Sequence, residues 1–78
     1  MPQANIGAPI PIQVDLPITL GQFIKIAGLA TTGGEAKHVV ISGLVRVNAG
    51  VERRRGRQLV AGDVVVVEGA NPRVVVGN

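Results

Sequence analysis

Thr19-Leu20-Gly21-Gln22-Phe23-Ile24-Lys25-Ile26-Ala27-Gly28 and, after a short linker, Thr32-Gly33-Gly34-Glu35-Ala36-Lys37-His38-Val39-Val40-Ile41-Ser42-Gly43 decide how this chain folds. Both stretches open on the same start signal. Thr19 with Gln22, and Thr32 with Glu35, have the spacing of a capping box, in which the hydroxyl accepts from a free backbone N–H and the residue three on reaches back. After the first box, Leu20, Phe23, Ile24 and Ala27 recur at i, i+3, i+4 and i+7, which is one helical face. Gly28 stands where a C-terminal glycine cap ends such a helix. After the second box, Ala36, Val39 and Val40 form a shorter apolar stripe that stops at Ser42-Gly43. With so short a linker the two helices are expected to pack as neighbours.

C-terminal to the helices the pattern changes to strand. Val45 and Val47 alternate with Arg46 and Asn48, a half-buried strand with Arg46 on its outer face. Asn48-Ala49-Gly50 and Ala61-Gly62-Asp63 carry turn chemistry. Val64 to Val67 is an unbroken β-branched run, as in a strand covered on both faces. It closes at Glu68-Gly69 and Asn71-Pro72, and Val74 to Val76 supplies a last strand.

N-terminal to the helices, residues 1–17 hold four of the five prolines and no positive side chain. Proline denies a helix and holds its predecessor extended. Ile10, Ile12 and Val14 alternate as in a short edge strand, and the segment is a candidate cover for the second face of the valine strand. The first few residues are expected to fray. The chain therefore divides into a proline-rich, partly extended segment, 1–17, and a domain, 18–78.

Composition narrows the function. Hydrophobic residues make up 46% and charged residues 17% of the 78, enough for one small core. With no Cys there is no disulfide, thiolate catalysis or zinc–thiolate site. The single His38 lacks partners for a metal site, and the acids form no catalytic pair. No activated Ser and no nucleotide-binding glycine fingerprint is present. No enzyme, cofactor, metal or small-molecule substrate is expected. No apolar run spans a bilayer, and no basic segment followed by an apolar one marks a signal peptide. A soluble cytoplasmic monomer is the expectation.

The charge is concentrated. Arg46, Arg53, Arg54, Arg55 and Arg57 against Glu52 make residues 46–57 net +4, while the whole chain is only +3. A local positive field on an otherwise neutral domain points to a polyanion. The bland alternative is a solvated loop that keeps the protein soluble, but lysine serves that purpose equally, and here every charge in the run is arginine. Arginine adds a planar fork that grips phosphate bidentately. Gly56 allows close backbone approach. Lys37, just inside the second helix, reads as a phosphate contact, with Thr32, Gly33 and Gly34 at the helix entry beside it. With Phe23 as the only aromatic residue, base stacking is disfavoured and phosphate and shape recognition of structured RNA is favoured.

Taken in order, Ile18-Thr19-Leu20-Gly21-Gln22-Phe23-Ile24-Lys25, Gly28-Leu29, Thr32-Gly33-Gly34-Glu35-Ala36-Lys37, Gly43-Leu44-Val45-Arg46-Val47-Asn48, Val51-Glu52, Arg54-Arg55-Gly56-Arg57 and Gly62-Asp63-Val64-Val65 resemble the S-four RNA-binding domain, or alpha-L motif. The nearest likeness is to its small stand-alone bacterial members. The likeness covers roughly residues 18–69 through several separate motifs in the right order. It implies an α+β fold with two packed N-terminal helices against a small antiparallel β-sheet. It also implies RNA held along the second helix and the adjacent loop. The RNA-binding residues expected are Thr32, Gly33, Gly34, Lys37, His38, Arg46, Arg53, Arg54, Arg55 and Arg57. Two departures stand out. The usual Val-Asn-Gly turn is Asn48-Ala49-Gly50, and where many members place an arginine early in the second helix this chain has Gly33-Gly34, leaving backbone donors there. Arg53 has no firm counterpart. The implied partner is structured RNA, ribosomal or transfer, in a ribosome-associated bacterial protein. The competing reading is a protein-interaction module that docks an acidic partner through the arginine loop or a sheet edge.

Overall fold

The computed structural model describes residues 9–70 and 73–78. The elements in chain order are β1 (Ile10–Gln13), β2 (Ile18–Thr19), α1 (Leu20–Ile26), α2 (Gly33–Ile41), β3 (Val45–Val47), β4 (Gly50–Val51), β5 (Gln58–Leu59), β6 (Val64–Val67) and β7 (Val74–Gly77). Five strands form one sheet in the order β1-β7-β6-β3-β4, and β2 and β5 form a separate two-stranded sheet.

Both helices begin and end as their caps dictate. At α1 the Thr19 hydroxyl accepts from Gln22 N at 3.3 Å, and the Gln22 side chain accepts from Thr19 N at 3.0 Å. At α2 the Thr32 hydroxyl accepts from Glu35 N at 3.1 Å, but the Glu35 carboxylate reaches one residue further back, to Thr31 N. Each helix ends in a Schellman motif around a left-handed glycine, Gly28 (φ 77°) and Gly43 (φ 80°). Leu29 N donates to Ile24 O, and Leu44 N to Val39 O. The helices pack on each other. Leu20, Phe23 and Ile24 of α1 and Ala36 and Val40 of α2 are buried with Val45, Val47, Val65, Val67, Val74 and Val76 from the sheet.

The expected architecture needs correcting. The helices are not N-terminal; two strands precede them. The sheet is not purely antiparallel, because β1 runs parallel to β7, with Ile10 opposite Val74 and Ile12 opposite Val76. With helices of 7 and 9 residues, the fold is strand-rich, though still α+β. The physical reason is the backbone of β7, whose outer edge needs hydrogen-bond partners. The proline-rich segment supplies them: Ile10 N donates to Arg73 O at 2.9 Å and Val14 N to Gly77 O at 3.0 Å. Pro11 lies between them in the strand, with its missing donor on the solvent edge, where proline is tolerated. The segment thus extends the sheet in its own plane and does not cover a face. Consequently β6 alternates, with Val65 and Val67 buried and Val64 and Val66 half-buried. The Asn71-Pro72 turn and the fraying of the first residues lie outside the described residues.

Asn48-Ala49 forms the two-residue turn between β3 and β4, with φ of 52° and 75°. Positive φ at both central positions is the type I′ signature that usually selects Asn-Gly. Asn48 also ties this turn to the next one. Its amide donates to Asp63 Oδ1 at 3.0 Å and its side-chain oxygen accepts from Val64 N at 2.9 Å, while Asp63 Oδ2 accepts from Val60 N at 3.0 Å.

Candidate nucleic-acid interface

The small β2–β5 sheet builds the site. Ile18 pairs with Leu59 and Thr19 with Gln58, and both apolar members are buried. That pairing delivers the arginine turn, just before β5, to the start of α1. There Leu20 N donates to Arg57 O at 2.8 Å and Gly21 N to Arg55 O at 2.9 Å. The first amides of α1 are thus satisfied by carbonyls of the arginine loop. The loop packs closely here: a Cβ on Gly21 would sit at ordinary contact distance, 3.5 Å, from Arg55 Cβ.

Where this loop meets the two helix entries, an open cleft of about 400 Å³ forms, lined by Thr19, Gly21, Gln22, Lys25, Gly33, Ala36, Lys37, Arg55 and Gly56. Lys25, Lys37 and Arg55 form no ion pair with any described residue. At the entry of α2, the amides of Gly33 and Gly34 precede the first intrahelical bond, so they remain donors. An added Cβ would meet nothing within 4 Å at Gly33, nor at Gly56 on the turn. The cleft therefore combines three uncompensated cations, a helix dipole's positive end and unobstructed backbone, an arrangement suited to anionic oxygens.

Next to the cleft the other arginines are differently engaged. Glu52 is buried and accepts four hydrogen bonds: from Arg54 N at 3.1 Å, Arg54 Nε at 3.0 Å, Arg54 Nη2 at 3.3 Å and Arg57 Nη1 at 2.9 Å. The Arg54 and Arg57 guanidinium hydrogen bonds hold its carboxyl well below the ordinary range, at about 2 against 4.5, in spite of its burial. The same contact raises the Arg54 pKa. Arg57 N donates to Arg54 O at 3.1 Å and closes the turn around Arg55-Gly56. Arg53 goes elsewhere. Its guanidinium lies over Gly43 at the C-terminal end of α2, close enough that a Cβ on Gly43 would fall 2.6 Å from Nη2.

Of the residues expected at the site, Gly33, Lys37 and Arg55 come together in the cleft. Thr32 spends its hydroxyl on the cap, with Gly34 beside it. His38 is exposed further along α2. Arg46 stands on the face of the sheet turned away from the core, opposite Val51 and Val66. Sequence reasoning missed Gln22 and Lys25. Their signal was the helical period itself: with Leu20, Phe23 and Ile24 inward, Gly21, Gln22 and Lys25 fall on the opposite face.

The model of the S4 domain family matches residues 10–75. The chain belongs to the S4 domain family. The S4 domain match includes β1, which the motif resemblance from residue 18 onward left out. The chain is also 48% identical over 60 residues to the probable ribosome maturation protein RlbA of Bacillus subtilis (strain 168), a stretch that covers 76% of this chain and 84% of that protein. Among the described residues no group of His, Asp or Glu is placed to hold a metal ion, and no helix is long and apolar enough to cross a membrane.

Proposed function

We propose that this S4 domain binds structured RNA, ribosomal or transfer, through the cleft between the two helix entries and the arginine turn, and that it acts in ribosome maturation in the bacterial cytoplasm. The observation that carries the reading is the convergence of Lys25, Lys37 and Arg55 on one open cleft, none of them ion-paired with a described residue. The likeness to a probable ribosome maturation protein supports the choice of RNA. The role is binding: phosphates are held by Lys25, Lys37, Arg55 and the free amides of Gly33 and Gly34, and RNA shape is measured by the distance between α2 and the turn. Thr32, His38, Arg46, Arg53 and Arg57 are assigned outer or supporting parts.

Binding of the full chain to total ribosomal RNA and to transfer RNA, followed by fluorescence anisotropy across a salt series, tests this. The expected affinity falls by about 0.7–0.9 log units per log unit of salt for each phosphate neutralised. A flat salt dependence defeats the proposal. Association with ribosomal particles that survives nuclease treatment would instead favour docking on a protein.

A further inference from the structure

We infer that Glu52 is a positioning residue for RNA binding: it converts Arg54 into a pre-oriented fork that takes a second RNA phosphate outside the cleft. The inference rests on the RNA reading above and goes beyond it by giving a role to the one buried acid in the arginine loop. Glu52 holds Arg54 side-on, through Nε at 3.0 Å and Nη2 at 3.3 Å. The other edge of the guanidinium, Nη1 with the remaining Nη2 hydrogen, has no partner among the described residues, and the Arg54 side chain is 78% exposed. That end-on edge carries the parallel N–H pair that grips phosphate bidentately. An arginine on a free stem loses rotamer freedom when it binds; one already pinned loses much less. Arg57 is the strut. It is less exposed, at 34%, and binds the second oxygen of Glu52 at 2.9 Å, so the carboxylate stays fixed if Arg54 shifts. With two arginines to one glutamate the triad keeps a net positive charge.

The test turns on sign. Glu52→Gln removes a negative charge, so simple attraction would make RNA bind more tightly. Positioning by Glu52 instead makes it bind more weakly, because an amide offers one acceptor oxygen in place of two and releases the fork. The full chain and its variants are titrated with total ribosomal RNA from Bacillus subtilis at several salt concentrations, with circular dichroism to verify folding. Glu52→Gln is expected to weaken binding about five- to tenfold. Arg54→Lys leaves Glu52 paired with Arg57, keeps the charge and removes the fork. It is expected to weaken binding by a similar factor with an unchanged salt slope. Arg54→Ala should also lower the slope by about 0.7–0.9. Lys37→Ala serves as the cleft reference. If Lys37→Ala binds weakly while Glu52→Gln and Arg54→Lys bind as the natural chain does, the fork is wrong and the cleft stands. Should Glu52→Gln fail to fold, unaltered binding by Arg54→Lys alone overturns the inference. If the natural chain shows no salt-dependent binding, the RNA reading and the fork fall together.

Discussion

Arg54 and Arg55 are neighbours in the chain but belong to two different regions. Arg55 lines the cleft with Lys25 and Lys37, and none of the three is ion-paired with a described residue. Arg54 belongs to a clamp in which Glu52 is shared with Arg57. The cleft is made of charge left uncompensated, and the clamp of charge used to hold a turn in shape. A run of arginines is therefore not a uniform patch. One buried acid divides it, and the divided parts do different work: the clamp sets the turn, and the turn carries Arg55 and Gly56 to the helix entries.

The largest effect is expected when the cleft is emptied and the clamp is left whole. The triple variant Lys25→Ala, Lys37→Ala, Arg55→Ala is expected to bind ribosomal RNA about 100-fold more weakly near physiological salt, with the salt slope reduced by roughly 2–3. Its melting temperature should stay close to that of the natural chain, because none of the three makes an ion pair with a described residue. A large drop in melting temperature would show that the cleft cations also hold the fold, and the contrast would fail.

The clamp should respond to acid where the cleft does not. The Glu52 pKa is depressed on folding, from 4.5 to about 2, so the folded state binds fewer protons across that interval. Stability from the clamp is therefore complete above pH 4.5 and lost as pH falls toward 2. In thermal melts at a series of pH values, the natural chain should lose stability through this window, and Glu52→Gln should lose less. Parallel curves for the two proteins would remove the clamp from the stability account.

Two smaller changes sharpen the boundary between the regions. Gly43→Ala forces a Cβ onto a residue at φ 80° and into the Arg53 guanidinium. It should destabilise the fold by about 1 kcal/mol, mostly from the backbone, because the Arg53 end is flexible and can swing away. Denaturant melts measure the loss, and RNA binding through the cleft should be little changed. Ala49→Gly should do the reverse for stability. It relieves an alanine at φ 75° and is expected to add about 0.5–1 kcal/mol, seen as a small rise in the denaturation midpoint, with RNA affinity unaltered.

Much of this was readable from local pattern. The caps at Thr19 and Thr32, the glycine stops at Gly28 and Gly43, the buried stripe of Leu20, Phe23 and Ile24, and the outward Arg46 all follow from neighbours a few residues away. Such features depend on backbone geometry and on which side of one element a residue falls, and a sequence window contains both. Lys37 and Arg55 could be named as candidate anion contacts for the same reason, and both line the cleft. The segment around Ile10 could be recognised as extended, but its partner could not, since Ile10 and Val74 meet across almost the whole length of the chain.

Two capped helices, a valine-rich sheet and a concentrated positive charge follow from the residues alone, because caps, periodicity and composition act over short range. Where each arginine goes depends instead on long-range pairing. Pairing Ile18 with Leu59 brought the turn to the start of α1, and Glu52 then took Arg54 and Arg57 and left Arg55 to the cleft. The physical reason is that a carboxylate chooses its partners by distance and burial, and both are set only when strands far apart in the chain come together.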